Sequence, residues 1–580
     1  MINMNTSSLV LEKKTSLKTK EITGSEALLL SLIAENVKYI FGYPGGAIMP
    51  IYDELYKFQD QLTHLMTRHE QGATHAAQGF ARVTGQTGVC FATSGPGATN
   101  LITGIADAQI DSTPIVCVTG QVPSHLLGTD AFQETDVIGI TMPVTKWNYQ
   151  VTKAEEIPDA IARAFYIANS GRPGPVVIDI TKDAQFGKLS FAYKKCTKIR
   201  SYHPYPILNQ TKIKEAADLI NHSKKPLALV GHGVLISKAQ KELIKLLETS
   251  GIPAASTLMG LSALPIAHPQ YVGYLGMHGN YGPNVKTNEA DLLIAIGMRF
   301  DDRVTGNLDD YGKQAKVIHI EIDPAEIDKN IKADVAINAD AKLALQCLNE
   351  LILPNQHSKW IAEFKACDKL EIEKVITNEL FPVTHQIKMG EVIRLLSEIS
   401  QGKSIIVTDV GQHQMVASRY YRFADTRTNV TSGGLGTMGF ALPAALGAKI
   451  GQPNKQVVAI IGDGGFQMTI QELATIFQYK IGVKILILNN NFLGMVRQWQ
   501  QLFFEKRYSS TELVNPDFQL IAEGYGIAHM KVTERENLQS GIKTMLDAEE
   551  SYLLEVVVEK EENVFPMVPS GASVSEIRLS

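Results

Sequence analysis

The chain has 580 residues, 44% hydrophobic and 20% charged, with a net charge of −5. That is enough for three or four domains with sizeable cores, and it argues against a nucleic-acid surface or a polybasic membrane patch. No apolar run reaches the roughly 18 residues of a membrane span.

The polar first residues carry lysines but no arginine and no apolar segment. They read as a mobile extension over 1–21, not a targeting signal. The five cysteines (Cys90, Cys117, Cys196, Cys347 and Cys367) are odd in number and show no metal-motif spacing, as expected of reduced thiols in a cytoplasmic protein.

From 22 to 190 helix and strand patterns alternate, with strands predicted at 39–41, 62–66, 88–92, 115–118 and 176–180. Between them, 70–84 places Gly72, Ala73, Ala76, Ala77 and Gly79 on one side, the pattern of a tightly packed helix. Residues 191–206 are aromatic, basic and proline-punctuated, and read as a linker. A second unit, 207–353, has strands at 227–230, 292–296 and 317–322; its Gly231-x-Gly233 turn lacks the third glycine of a dinucleotide fingerprint. Residues 354–385 read as a charged helical linker. A third unit, 386–562, has strands at 405–407, 457–461, 484–488 and 553–558, and 563–580 is a proline-punctuated tail packing over the site. The alternation predicts three doubly wound α/β domains with parallel sheets.

The most informative stretch runs from 456 to 499. A β-branched apolar run ends in a loop, Gly462-Asp463-Gly464-Gly465, and a second buried strand stops at Asn489-Asn490-Asn491. In a βαβ unit both strand ends emerge at the carboxyl edge, so Asp463 and Asn490 face one crevice. A carboxylate and an amide oxygen are an incomplete set for Mg²⁺, which is commonly completed by substrate phosphates. The glycines and the helix N-terminus favour an anion. Taken singly, the two motifs are a strand-to-helix turn and a polar loop. Paired at this spacing, they point to Mg²⁺ bridging the protein to a diphosphate.

GDG followed by NN at this distance resembles the fingerprint of thiamin-diphosphate enzymes. Nearly the whole chain resembles the catalytic large subunits of the FAD-containing acetohydroxyacid (acetolactate) synthase family, through FGYPGGAIMPIYDEL, RHEQGATHAAQGFAR, TSGPGATN, DAFQETD, GRPGPVVIDITKD, GMRFDDRVTG, GQHQM, SGGLGTMGFALPAA and LGMVRQWQ. The resemblance implies a pyrimidine-binding first domain, a central FAD-binding domain and a diphosphate-binding third domain. It also implies a homodimer or dimer of dimers with a separate small regulatory subunit. The implied reaction decarboxylates pyruvate and transfers the two-carbon unit to pyruvate or 2-ketobutyrate. The alternatives are another thiamin-diphosphate carboligase or a pyruvate oxidase; Glu70 argues against glyoxylate carboligase and Trp499 against the oxidase.

By the same resemblance Glu70 is the carboxylate at the pyrimidine. Val410, Gly411, Gln412, His413, Gly436, Met438, Asp463, Gly464, Gly465, Asn490, Phe492, Leu493, Gly494, Met495 and Val496 surround thiamin diphosphate. Asp463 and Asn490 hold Mg²⁺ by side chain and Phe492 by its carbonyl. FAD is expected at Arg172, Gly231, His232, Gly233, Thr257, Leu258, Met259, Leu275, Gly276, Met277, His278, Gly297, Arg299, Asp301, Arg303, Val304, Glu321, Ile322, Asp340 and Ala341. Arg303 is also expected to clamp the acceptor carboxylate, Trp499 to size its alkyl group, and Gln133 and Lys182 to belong to the reaction pocket. Without the motifs, Glu70 is a helix N-terminal acid favoured by the dipole and Met438 a core methionine. Trp499 is then a half-buried structural aromatic, and Arg303 a partner for Asp301 or Asp302.

Overall fold

The computed structural model describes residues 21–580; apart from Glu21, the expected N-terminal extension lies outside them. Three six-stranded sheets, each parallel throughout, carry the chain. The first is ordered Thr63–Met66, Tyr39–Gly42, Gly88–Ala92, Ile115–Gln121, Val176–Thr181, Trp147–Val151. The third repeats that order with Asn429–Thr431, Ile405–Thr408, Val457–Gly462, Lys484–Asn489, Tyr552–Val557, Ala528–Val532. The central sheet runs Tyr271–Tyr274, Ala254–Ser256, Pro226–Val230, Leu292–Ile296, Lys316–Glu321, Val335–Asn338. In each sheet the chain winds one way, then crosses back past its first strand. Such a reversal opens a crevice at the carboxyl ends of the two strands flanking it. In the third sheet these are Ile405–Thr408 and Val457–Gly462, and in the central sheet Pro226–Val230 and Leu292–Ile296.

The first and third units share one core, in which Phe41, Ala73 and Cys90 pack with Phe440, Ala459 and Ile485. Helix Glu70–Thr84 meets helix Ala441–Gly451 there. A Cβ on Gly79 would stand 1.9 Å from the Ala444 carbonyl oxygen, and one on Gly447 1.8 Å from that of Ala76. The small-residue face read from the sequence is the seat of this backbone-to-backbone contact.

Two readings differ from the structure. Gly462–Gly465 is not a loop: Gly462 is extended and Asp463 opens a helix, Asp463–Met468, with its acid in the first turn where the dipole favours it. The stretch 354–385 is split between two domains: helix Ser358–Glu371 buries Trp360 and Phe364 in the central core, where Trp360 Nε1 donates to Pro226 O at 2.8 Å, and Ile376 and Leu380 pack against the core of the third domain. In the tail, Val568 N donates to Met277 O at 2.8 Å and Asn307 N to Ala572 O at 2.9 Å, which lays it across the central domain. No helix among the described residues is long and apolar enough to cross a membrane.

Candidate active site

The crevice at the third sheet's reversal is lined by Val410–His413, Met438, Gly462–Gly465, Asn490 and Phe492–Val496. The chain therefore gathers nearly every residue predicted around thiamin diphosphate. Gly436 lies just outside, in the adjoining larger cavity, and Glu70 is not among the lining residues.

Asp463 is buried and accepts a hydrogen bond from Asn515 Nδ2 at 2.7 Å. Burial pushes its carboxyl up to about 6 against that hydrogen bond; a cation beside it would favour the charged form. Among the described residues no three acidic, histidine or cysteine side chains gather around a metal position. A cation here must therefore draw on amide, carbonyl and phosphate oxygens, which suits Mg²⁺ bound with a diphosphate.

The three asparagines divide their work. Asn489 Nδ2 donates to Glu555 Oε1 at 2.8 Å, while Asn491 makes the left-handed turn at φ 54°. Only Asn490 lines the crevice. Asn515, which sequence reasoning missed, joins these ends by donating to Asp463, Asn489 and Asn491. It sits on a different segment, and no spacing rule connects it to GDG. Two glycines serve neighbouring side chains as much as any ligand: a Cβ on Gly465 would stand 2.0 Å from Asp409 Oδ2, and one on Gly494 2.2 Å from Gln412 Oε1. Asp409 in turn fixes the His413 ring through Nε2.

Glu70 is the first residue of its helix and is buried; Asn100 Nδ2 donates to its Oε2 at 3.0 Å. The Gly95–Gly97 turn lies alongside, with the Gln133 backbone against Gly95 and Glu70 Oε1 near Gly97. Gln133 takes a left-handed φ of 59°, and Lys182 opens the short helix after strand Val176–Thr181. Glu70, Gln133 and Lys182 thus belong to the first domain, whereas Arg303 and Trp499, from the central and third domains, line a cavity to which all three domains contribute. None of Glu70, Gln133 and Lys182 lines that cavity or the crevice.

Glu472, also missed, accepts from the amides of Arg68 at 3.0 Å and His69 at 3.1 Å and so caps the turn that carries Glu70. Burial raises its carboxyl to about 7. A raised folded-state value contributes stability that is lost as pH rises through it. From pH 6 to 8 the apo-protein should lose stability on the order of 1 kcal/mol through this group. Thermal melts of Glu472→Gln across that range should be flatter than wild type; parallel curves would refute the assignment.

The larger cavity holds about 680 Å³, within the range of cofactor sites. All predicted FAD residues line it except Gly231. That glycine lies behind the wall, where a Cβ would stand 2.2 Å from Gly297 O. Ser237 Oγ and His278 Nδ1 are buried without hydrogen-bond partners on residues that line the cavity. Burial and Arg419 lower His278 to about 4 and keep it neutral. Glu321, pushed up to about 7 by burial, stands at the end of its strand. Unpaired polar atoms in a mostly apolar cavity of this size fit a polar-headed, ring-bearing cofactor such as FAD.

Arg303 is exposed; its Nε is 3.8 Å from Asp302 Oδ2 and its Nη1 3.5 Å from Met277 Sδ. The ion pair is loose, so the guanidinium remains usable by a ligand. Trp499 is half-buried, its ring 5.0 Å from that of Phe503. Val410 and Met495 line both this cavity and the crevice, so the two sites adjoin.

Comparison with known families agrees with this geometry. The N-terminal TPP-binding domain of thiamine pyrophosphate enzymes matches residues 22–140, the central domain 213–348 and the C-terminal TPP-binding domain 409–556. The fold and its crevice are thus those of a thiamine pyrophosphate enzyme. The acetolactate synthase large subunit of Lactococcus lactis is 44% identical over 560 residues, 96% of each chain. The probable acetolactate synthase large subunit of Methanocaldococcus jannaschii is 45% identical over 96% of this chain and 95% of its own, and the isozyme 2 large subunit of Escherichia coli 44% over 96% and 99%. The chain belongs to the acetolactate synthase large-subunit family, whose cofactors are thiamin diphosphate, Mg²⁺ and FAD.

Proposed function

We propose that this chain decarboxylates pyruvate and joins the remaining two-carbon unit to the keto carbon of a second 2-ketoacid, pyruvate or 2-ketobutyrate. The products are carbon dioxide and a 2-hydroxy-3-ketoacid, in the first common step of branched-chain amino acid biosynthesis. One observation carries the reading: helix Gly494–Phe503 runs from the diphosphate crevice to the larger cavity, with Met495 in both and Trp499 on the far wall.

Bound thiamin diphosphate supplies the carbon nucleophile and the electron sink. Asp463, Asn490 and the Phe492 carbonyl hold Mg²⁺ against its diphosphate, with Gln412 and His413 facing the same anion. Met438, which lines the crevice, would pack against the ring system. Glu70 shares a proton with the pyrimidine nitrogen, Arg303 pairs with the acceptor carboxylate and Trp499 limits its alkyl chain. FAD has no redox step in this reaction and acts as a structural element.

The crevice alone is shallow, about 50 Å³, and Glu70 lies on another sheet edge. Both support a homodimer, alone or paired as a dimer of dimers, in which residues 22–190 of one subunit close over 386–562 of the next while 207–353 hold FAD. A small regulatory subunit and a cytoplasmic location complete the proposal; the relatives' designation as large subunits supports the former.

One methylene in an apolar pocket is worth about 1–3 kcal/mol, so wild-type enzyme should prefer 2-ketobutyrate to pyruvate as acceptor by at most about 10–200-fold. In competition assays Trp499→Leu should erase that preference and still make acetolactate. An unchanged product ratio would refute the role of Trp499. Peroxide formed under oxygen as the main reaction would overturn the synthase reading.

A further inference from the structure

Segment 432–438 serves both sites. Ser432, Gly433, Gly434, Leu435 and Gly436 line the larger cavity, and Met438, two residues on, lines the diphosphate crevice. Its conformation is set from the first domain. Asp111, at the C-cap of helix Ile102–Ile110, accepts from Gly433 N at 2.8 Å and Gly434 N at 2.7 Å. One helical turn earlier, Asp107 Oδ1 accepts from Ser432 Oγ and, at 2.9 Å, from Thr437 Oγ1. Ser432 Oγ accepts from Thr437 N at 2.8 Å. Two carboxylates thus hold the segment at both ends.

Both acids are buried, and they share one cation, Arg82 of the helix that begins at Glu70. Its Nη2 is 2.9 Å from Asp111 and 3.7 Å from Asp107, and Asp107 Oδ2 has no hydrogen-bond partner. Removing two carboxylates and a guanidinium from water is a poor source of stability, and such clusters are better suited to fixing one geometry. On the flavin side, a Cβ on Gly434 would stand 2.6 Å from Arg299 Nη2, and Arg299 Nη1 donates to Ile110 O at 3.4 Å. A ligand that moves Arg299 or Gly434 therefore acts on the segment that ends at Met438.

We propose that Asp107, Arg82 and Asp111 are positioning residues that make 432–438 a rigid link between the flavin cavity and the thiamin crevice, so that occupancy of one tightens binding at the other. The inference rests on the proposed pair of cofactor sites. It gives a flavin without redox duty a task, which is to order the wall of the neighbouring site.

The test is reconstitution of the full-length apo-protein. FAD binding is followed by flavin fluorescence, and binding of thiamin diphosphate with Mg²⁺ by near-ultraviolet circular dichroism, each with and without the other cofactor. Wild type should bind thiamin diphosphate about tenfold or more tightly when FAD is saturating, and FAD tighter by the same factor in the reverse experiment. Asp111→Asn should bind both cofactors with coupling reduced below about twofold. Ser432→Ala, which deletes one hydroxyl and preserves the fold if Asp111→Asn does not, should reduce the coupling in the same direction. Absent coupling in wild type, or undiminished coupling in the variants that fold, would overturn the inference. Failure of wild type to bind either cofactor would instead overturn the proposed function.

Discussion

Gly79→Val should lower the thermal midpoint by about 4 °C or more, a loss of about 3 kcal/mol or more in the unit formed by the first and third domains. The added Cβ would stand 1.9 Å from the Ala444 carbonyl oxygen, and a backbone atom inside a helix cannot swing aside as a side chain can. Helices Glu70–Thr84 and Ala441–Gly451 must separate, opening the core that the first and third domains share. Overpacking of an ordinary core costs about 1–3 kcal/mol because neighbours relax; here the neighbour is fixed by its own helix. Gly46→Ala is the control, since its Cβ would meet nothing within 4 Å. Calorimetry on both variants decides the matter: a Gly79→Val midpoint within about 2 °C of the control would show that the helices yield more easily than their geometry indicates. The variant should also lose activity in proportion, because the displaced helix carries Glu70 at its first position.

This contact was legible in part. Small residues at 72, 73, 76, 77 and 79 announced a close partner but did not name it, because the matching Gly447 lies in another domain. The sheets follow the same logic. Strands such as 457–461 and 484–488 were readable because burial on both faces demands a continuous apolar run. The unread strands lie at or beside the margins. Trp147–Val151 and Ala528–Val532 are half-exposed edges whose polar residues satisfy no buried-strand pattern, and Ala254–Ser256 is only three residues long. The site divided in the same way. Asp463 and Asn490 were readable as a pair because a βαβ unit brings both strand ends to one crevice, which both residues line. Asn515, Glu472 and Asp111 were not, because each acts through a neighbour far away in the chain and its residue type is common on any surface.

Glu70→Gln should lower kcat by about 10²–10⁴-fold, the range for removal of a positioned proton-transfer group. It should leave cofactor binding and the KM for pyruvate nearly unchanged. The structural alternative is that Glu70 merely favours its helix N-terminus, worth about 0.3–1 kcal/mol. Gln retains an oxygen for the Asn100 hydrogen bond, so on that alternative the variant would melt slightly lower and turn over normally. A melt near wild type with turnover collapsed is the signature of the catalytic role; normal turnover would sink it. The same variant tests whether the site is shared. Alone, Glu70→Gln and Asp463→Ala subunits should each be nearly inactive. In a random mixture half the dimers are mixed. If Glu70 of one subunit serves the Asp463 crevice of the other, a mixed dimer carries both lesions in one site and none in the second. Recovered activity should then approach about a quarter of wild type. If each chain completed its own site, every site in the mixture would carry one lesion and no activity would return.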